Sequence, residues 1–300
     1  MAVLIAGAAS SCRLGEKVWI GDVAWLSDGR VYYEARINQA PNKLRSVRPG
    51  GKDVRDEQAG AGCEAEEYGL RALPNGRMAV SARCGYSGTT EVLEYDAGRT
   101  PQAERRAGSL SSWVTAVWDP GTGRGYFDAR DQLSCRRLGR MDVDAASPLY
   151  VDAAGDRVRV DNFTLGEPCE SDRPDASWPL PAGPDLYFFA SLQAKGLRGD
   201  QRLLAPQVLY RAGADGFGHE VLGGFADVRG AALSRDGGTL VVAAKRDGDW
   251  ALWRVDLPGG KVRRLADGDY SGVSIAPDGK HVAAVLSGGA DDDEIRVLQL

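Results

Sequence analysis

A short turn unit recurs along this chain with apolar, β-type runs on both sides, and that recurrence constrains the fold more than any other feature. It reads Trp25-Leu26-Ser27-Asp28-Gly29-Arg30-Val31, then Ala72-Leu73-Pro74-Asn75-Gly76-Arg77-Met78. It returns as Ala232-Leu233-Ser234-Arg235-Asp236-Gly237-Gly238-Thr239-Leu240 and as Ile275-Ala276-Pro277-Asp278-Gly279-Lys280-His281-Val282. Weaker copies stand at Trp118-Asp119-Pro120-Gly121-Thr122-Gly123 and Asp152-Ala153-Ala154-Gly155-Asp156. Asp-Gly and Asn-Gly supply the positive-φ positions that tight hairpins demand, and a preceding Pro or Ser helps to start the turn. Each unit therefore reads as the hairpin between the first and second strands of a four-stranded blade. The strong glycines step from 29 to 76 and from 237 to 279, that is by 47 and 42 residues, about the length of one blade.

The clearest blade runs from Val228 to Leu265. Its predicted strands are Val228–Leu233, Thr239–Ala244, Trp250–Leu257 and Val262–Leu265, with Ala251, Trp253, Val255 and Leu257 alternating onto one face. No segment shows a 3.6-residue amphipathic period. The fold class is all-β: a β-propeller, with six blades preferred and seven as the alternative. The last copy is short by a strand, while Val18–Ile20 stands spare ahead of the first. Because an open edge is a liability, the N-terminal segment Val18–Ile20 is expected to pair with Ile295–Leu298 in the last blade and close the ring. The segment 165–184, rich in Pro, Asp and Ser and holding Trp178, reads as an irregular loop, and 38–62 as a second long loop. Both are candidate contact surfaces.

The domain reading is a leader over 1–15 followed by a single propeller over 16–300. Met1–Ala9 carries no charge and is apolar or small throughout, like the core of a secretion signal. It is too short to span a bilayer as a helix. Ala9-Ser10-Ser11-Cys12 resembles the bacterial lipobox, with Ala in place of the usual Leu, which makes Cys12 the candidate lipidation site and the protein's only membrane contact besides the leader. The remaining cysteines, Cys63, Cys84, Cys135 and Cys169, form an even set that suits an oxidising compartment. Locality favours the disulfides Cys63–Cys84 and Cys135–Cys169 among three possible connectivities.

A formal net charge of −5 and a pI near 5.3 argue against nucleic acid as ligand. There is no P-loop, dinucleotide fingerprint or zinc-type Cys/His spacing, so no cofactor is expected. Gly85-Tyr86-Ser87-Gly88 lacks the spacing of a nucleophile elbow. His219 and His281 are the only possible histidine bases, and both read as strand residues. Ser234–Leu240 matches the start of a sialidase Asp-box, with Val241 where an aromatic belongs. The run Asp291-Asp292-Asp293-Glu294 is read as a solvated loop, with Ca²⁺ binding as the functional alternative.

At Ser234-Arg235-Asp236-Gly237 and Ala276-Pro277-Asp278-Gly279 the chain resembles the repeats of TolB-like β-propellers. Residues 228–286 carry this resemblance, Val255-Asp256-Leu257-Pro258-Gly259-Gly260 included, and 23–34 and 70–80 share its turn. TolB proper has an α/β domain before its propeller, and the residues ahead of Lys17 are too few to hold one. The resemblance implies a location in the cell envelope and transfers no site residue. The expectation is a monomeric, non-catalytic binding or scaffold protein with protein partners. A glycosidase-like hydrolase with its site in the central channel is the alternative.

Overall fold

In the computed structural model the four strong copies of the turn unit fold alike. Leu26 N donates to Arg30 O at 3.0 Å and Gly29 N to Leu26 O at 3.1 Å, closing the hairpin between Val18–Trp25 and Val31–Ile37. The amides of Leu73, Ser234 and Ala276 repeat this bond to Arg77, Thr239 and His281 at 2.8, 2.7 and 2.9 Å. The acidic or amide side chain then accepts the amide two residues on. Arg30 N reaches Asp28 at 3.0 Å, Arg77 N reaches Asn75 at 3.1 Å, Gly238 N reaches Asp236 at 3.0 Å and Lys280 N reaches Asp278 at 2.8 Å. Gly29, Gly76, Gly237 and Gly279 take φ of 78°, 83°, 71° and 66°, a region a Cβ would disfavour, so glycine follows the capping residue each time. The copy at Asp119 is built alike, with Gly121 N donating to Asp119 Oδ1 at 2.7 Å.

The copy at Asp152–Asp156 lies outside the described residues. Those are 3–4, 17–38, 42–57, 65–85, 89–96, 103–111, 113–130, 136–142, 159–160, 163–164, 175–194, 196–198, 200–213, 216–288 and 292–300.

Each hairpin opens an antiparallel sheet whose strands follow in chain order. The first sheet holds Val18–Trp25, Val31–Ile37, Lys43–Arg48 and Lys52–Asp56; the second holds Ala65–Ala72, Met78–Cys84, Thr89–Tyr95 and Ala103–Ser111. The third holds Trp113–Trp118, Arg124–Arg130 and Arg136–Asp142. Asp175–Ala182, Asp185–Ser191 and Gln207–Ala212 then lead into the 16-residue strand Gly218–Leu233. That strand breaks register between Ala226 and Gly230. Its first half ends one sheet, and its second half opens the next with Thr239–Arg246, Asp249–Asp256 and Lys261–Asp267. The last sheet joins Tyr270–Ile275, His281–Leu286, Glu294–Gln299 and Val3–Leu4. Successive sheets stacked in this order are the blades of a β-propeller.

Apolar layers join neighbouring sheets. Leu26, Tyr32 and Leu44 pack on Leu70, Met78 and Tyr95 between the first and second. Ile20, Val31 and Tyr33 pack on Ala283, Val285 and Ile295, so the first and last sheets share a core.

Three expectations change. Val18–Ile20 pairs with Ala35–Ile37, not with Ile295–Leu298; the strand laid on Glu294–Gln299 is Val3–Leu4, with Val3 opposite Val297. The register explains this, since Val18–Ile20 is the start of the first sheet's own inner strand. The segment 165–184 is not all loop, because Asp175–Ala182 is a buried inner strand. Its prolines mislead: only one edge of that strand joins a ladder, and Pro179 falls in the register break between Ser177 and Leu180. Trp178 takes a positive φ of 56° at that break. Finally, 38–62 is not one long loop, since it holds the two outer strands of the first sheet. A short helix, Asp200–Leu204, also appears, and it lays Arg202 on Asp175 at 2.5 Å with both side chains buried.

Candidate functional site

The first strand of each sheet pairs along one edge only, which leaves backbone donors on the other edge facing the neighbouring sheet. Buried donors need partners. In the first sheets these partners are side chains. Glu34 Oε1 accepts Tyr68 N at 3.0 Å, Ser81 Oγ accepts Ala116 N at 3.0 Å, and Asp128 Oδ2 accepts Trp178 N at 3.0 Å. The three acceptors are spaced alike, at 34, 81 and 128, two steps of 47 residues. Each lies on the second strand of its sheet and latches the first strand of the next. Asp22 adds a bond to Leu70 N at 3.3 Å.

Two cavities border these groups. At the turn end lies a cavity of about 440 Å³ walled by Trp25, Leu73, Leu180, Leu233 and Ile275, with Asn75 and Asp236 at its rim. At the far end a second cavity of about 400 Å³ is lined by charged side chains, among them Asp22, Glu34, Glu67, Arg83, Asp128 and Arg136. Arg71 borders both cavities. Its Nη1 donates to Asp22 Oδ2 at 2.8 Å, and its guanidinium lies 4.5 Å from the Trp178 ring centre. Trp178 is fixed in turn, its indole N–H donating to Val228 O at 3.1 Å.

The carboxyls here are strongly perturbed. Glu34 is 4% exposed, and burial pushes its pKa up to about 8, with Asp22 and Glu67 adding repulsion against the Tyr68 and Asn42 bonds. Burial also pushes Asp128 and Glu67 upward, opposed by the nearby arginines.

The residues singled out in the sequence fall elsewhere. His219 is exposed on the strand Gly218–Leu233. His281 sits at its turn with Nδ1 2.9 Å from Asp278 Oδ2. The acidic run is not a solvated loop. Asp292 Oδ1 accepts Val18 N at 2.7 Å, while Asp293, 6% exposed, accepts Ile20 N at 2.9 Å and Gly288 N at 3.1 Å. The Asp292 and Asp293 carboxylates are therefore spent on the start of the first strand, Glu294 pairs with Arg296 at 3.1 Å, and among the described residues no group of His, Cys, Asp and Glu could hold a metal ion. Cys84 is disulfide-bonded, its partner lying outside the described residues, as do Cys12, Cys63, Cys135, Cys169, Ser87 and Asp291. Glu34, Ser81 and Asp128 were missed, although one polar residue recurring every 47 positions inside an apolar strand was a readable signal.

No protein-family model matches the sequence, and no curated protein does. Solved structures do match. TolB from Acinetobacter baumannii aligns with a TM-score of 0.59 at 15% identity, over 91% of this chain and 64% of that one. The chain has the fold of a TolB-like β-propeller. It spans less than two thirds of that TolB. The α-L-arabinofuranosidase Arb93A from Fusarium graminearum aligns at 0.58 and 11% identity over 100% of this chain and 97% of its own. An oligogalacturonate lyase in complex with manganese aligns at 0.58 and 10% identity, over 99% and 92%. The shared property is the propeller, and it carries binding proteins and enzymes alike.

Proposed function

We propose that the chain is a closed propeller of six blades that works as a non-catalytic binding protein in the bacterial cell envelope, seating a protein partner at the turn-end cavity. The observation that carries this reading is how the far cavity's acids are used. Asp22, Glu34 and Asp128 hold backbone amides of the adjoining sheet, and neither histidine borders either cavity. The turn-end cavity combines an apolar floor with a polar rim, the composition of a contact site. Six blades follow if Gly218–Leu233 serves two of them; Val3–Leu4 adds a fourth strand to the last only while the leader is uncleaved, and the mature last blade holds three. Export is supported by the disulfide at Cys84. The proposed pairs are Cys63–Cys84 and Cys135–Cys169, with Met1–Ala9 as leader and Cys12 as lipidation site. Among the described residues no helix is long and apolar enough to cross a membrane.

One observation favours the hydrolase reading. Asp22 and Glu34 bind the amides of Leu70 and Tyr68, two residues apart on one strand, so that two carboxyls border one cavity, as an acid–base pair requires. Affinity capture from an envelope fraction separates the two. The binding reading expects one partner retained by the native protein and lost when Pro74→Glu and Arg235→Glu are placed on the rim. Hydrolysis of a glycan panel, abolished by Asp22→Asn, would instead establish the enzyme. Mass measurement of the mature N-terminus tests the leader, because cleavage would strip Val3–Leu4 from the last sheet.

A further inference from the structure

The polar cavity at the far end has, among the described residues, a cation without an ion pair and a hydroxyl without a hydrogen bond. Arg71 is matched by Asp22 at 2.8 Å, and Arg83 faces Glu67 at 3.8 Å. Arg136 is different. Among the described residues its guanidinium makes no ion pair, and Nη1 reaches only Val228 O at 3.4 Å, a carbonyl already taken by the Trp178 indole at 3.1 Å. Two acids attract it: Asp128 gives its Oδ2 to Trp178 N, Asp175 gives its Oδ1 to Arg202 and to the Arg136 amide, and burial disfavours the charge of both. A guanidinium held part-buried with its fork unfilled suits a carboxylate, which it can take through two parallel bonds.

The rest of the wall is suited to hydroxyls. The Thr115 hydroxyl has no hydrogen-bond partner among the described residues, and it borders the cavity beside Gly69, where a Cβ would lie 2.7 Å from Thr115 Oγ1. Glu67 is partly exposed there, a ready acceptor of O–H groups. The indole of Trp19, 40% exposed, gives the same cavity an apolar edge. About 400 Å³ is room for one small ring and its water, at the low end of ligand-site volumes.

We propose that this cavity binds a small hydroxylated carboxylate, a sugar acid in chemical class, with Arg136 taking the carboxylate and Thr115 and Glu67 taking hydroxyls. The site lies at the opposite end from the proposed partner seat and does not depend on it. A sugar acid supplies both features at once: an anion for Arg136, and O–H groups on a ring whose C–H face can cover the Trp19 edge. A simple anion satisfies only the first.

Titration calorimetry of the full chain with D-glucuronate, D-glucose and inorganic phosphate tests this. Glucuronate is expected to bind at least about tenfold more tightly than either control. Arg136→Gln should weaken glucuronate by at least about tenfold, and Arg136→Lys by less, since a point charge keeps the attraction without the fork. Thr115→Val, close in shape, should weaken glucuronate while leaving phosphate unchanged. It also serves if Arg136→Gln fails to fold. The proposal is overturned if the native protein takes no glucuronate, if phosphate binds as tightly, or if neither Arg136 nor Thr115 matters. Partner capture at the turn end should survive all three substitutions, so failure there speaks only to the binding-protein reading.

Discussion

The first three sheets and the last two solve one problem differently. Inner strands must meet their neighbours without stranding buried donors. In the first three sheets a polar side chain from strand two does this, at Glu34, Ser81 and Asp128. In the last two, Ala243 and Val285 stand at that strand-two position and the backbones come closer. The last sheet holds amides of the first from other positions, Ser274 Oγ accepting Trp25 N at 2.8 Å beside the Asp292 and Asp293 bonds to Val18 N and Ile20 N. A Cβ on Gly230 would lie 2.8 Å from Val273 Cγ2 and 3.1 Å from Gly272 N, and one on Gly272 would lie 2.7 Å from Gly21 O. Polar latches leave room for a charged, water-accessible cavity, whereas close apolar packing does not. The polar cavity is accordingly lined by residues from 19 to 178 and by none beyond.

Substitutions can break this contrast. The largest effect is expected at Trp178→Ala, which removes a buried indole from the junction between the two regions and should cost about 3–5 kcal/mol in denaturant unfolding. Gly230→Val should cost about 1–3 kcal/mol by overpacking, while adding a side chain at Gly29, whose Cβ would meet nothing within 4 Å, should cost only what its φ of 78° imposes. Equal losses at both glycines would remove close approach as the device of the last sheets. Ser81→Ala should cost about 1–2 kcal/mol, because it leaves the Ala116 amide unmet, and the reverse change Ala243→Ser should gain nothing.

Glu34 sharpens the contrast through pH. Its folded pKa of about 8 stands above the ordinary value, so the folded state holds its proton more tightly than the unfolded chain. Stability should therefore fall as pH rises from the ordinary carboxyl range to about 8, and level off beyond. Glu34→Gln keeps the Tyr68 acceptor and removes the titration. Variant and native protein should coincide at and below the ordinary carboxyl value of 4.5 and separate above it. Parallel pH profiles would mean that the carboxyl is not desolvated.

The last sheets were legible in the sequence for the same reason that they contribute nothing to the polar cavity. Val228–Leu265 repeats turn chemistry and period-two alternation with the turn's own Ser234 as its buried polar residue, and its strands appear where that pattern puts them. Asp175–Ala182 was hidden by its composition, since Asp, Ser and two prolines are what a loop contains. Only the structure shows that Asp175 meets Arg202, that Pro179 falls in a register break and that Pro181 stands on a strand with a single ladder. The acidic run at 291–294 was visible, but its role was not, because Val18 and Ile20 lie more than 270 positions away in sequence.

The central claim is that side chains of one sheet satisfy the inner-strand amides of the next. Site-resolved hydrogen exchange of the native protein tests it at Tyr68, Ala116 and Trp178. Those amides should exchange as slowly as ladder amides of Thr239–Arg246, and Asp128→Ala should speed Trp178 alone. Rapid exchange of all three in the native protein would contradict the account.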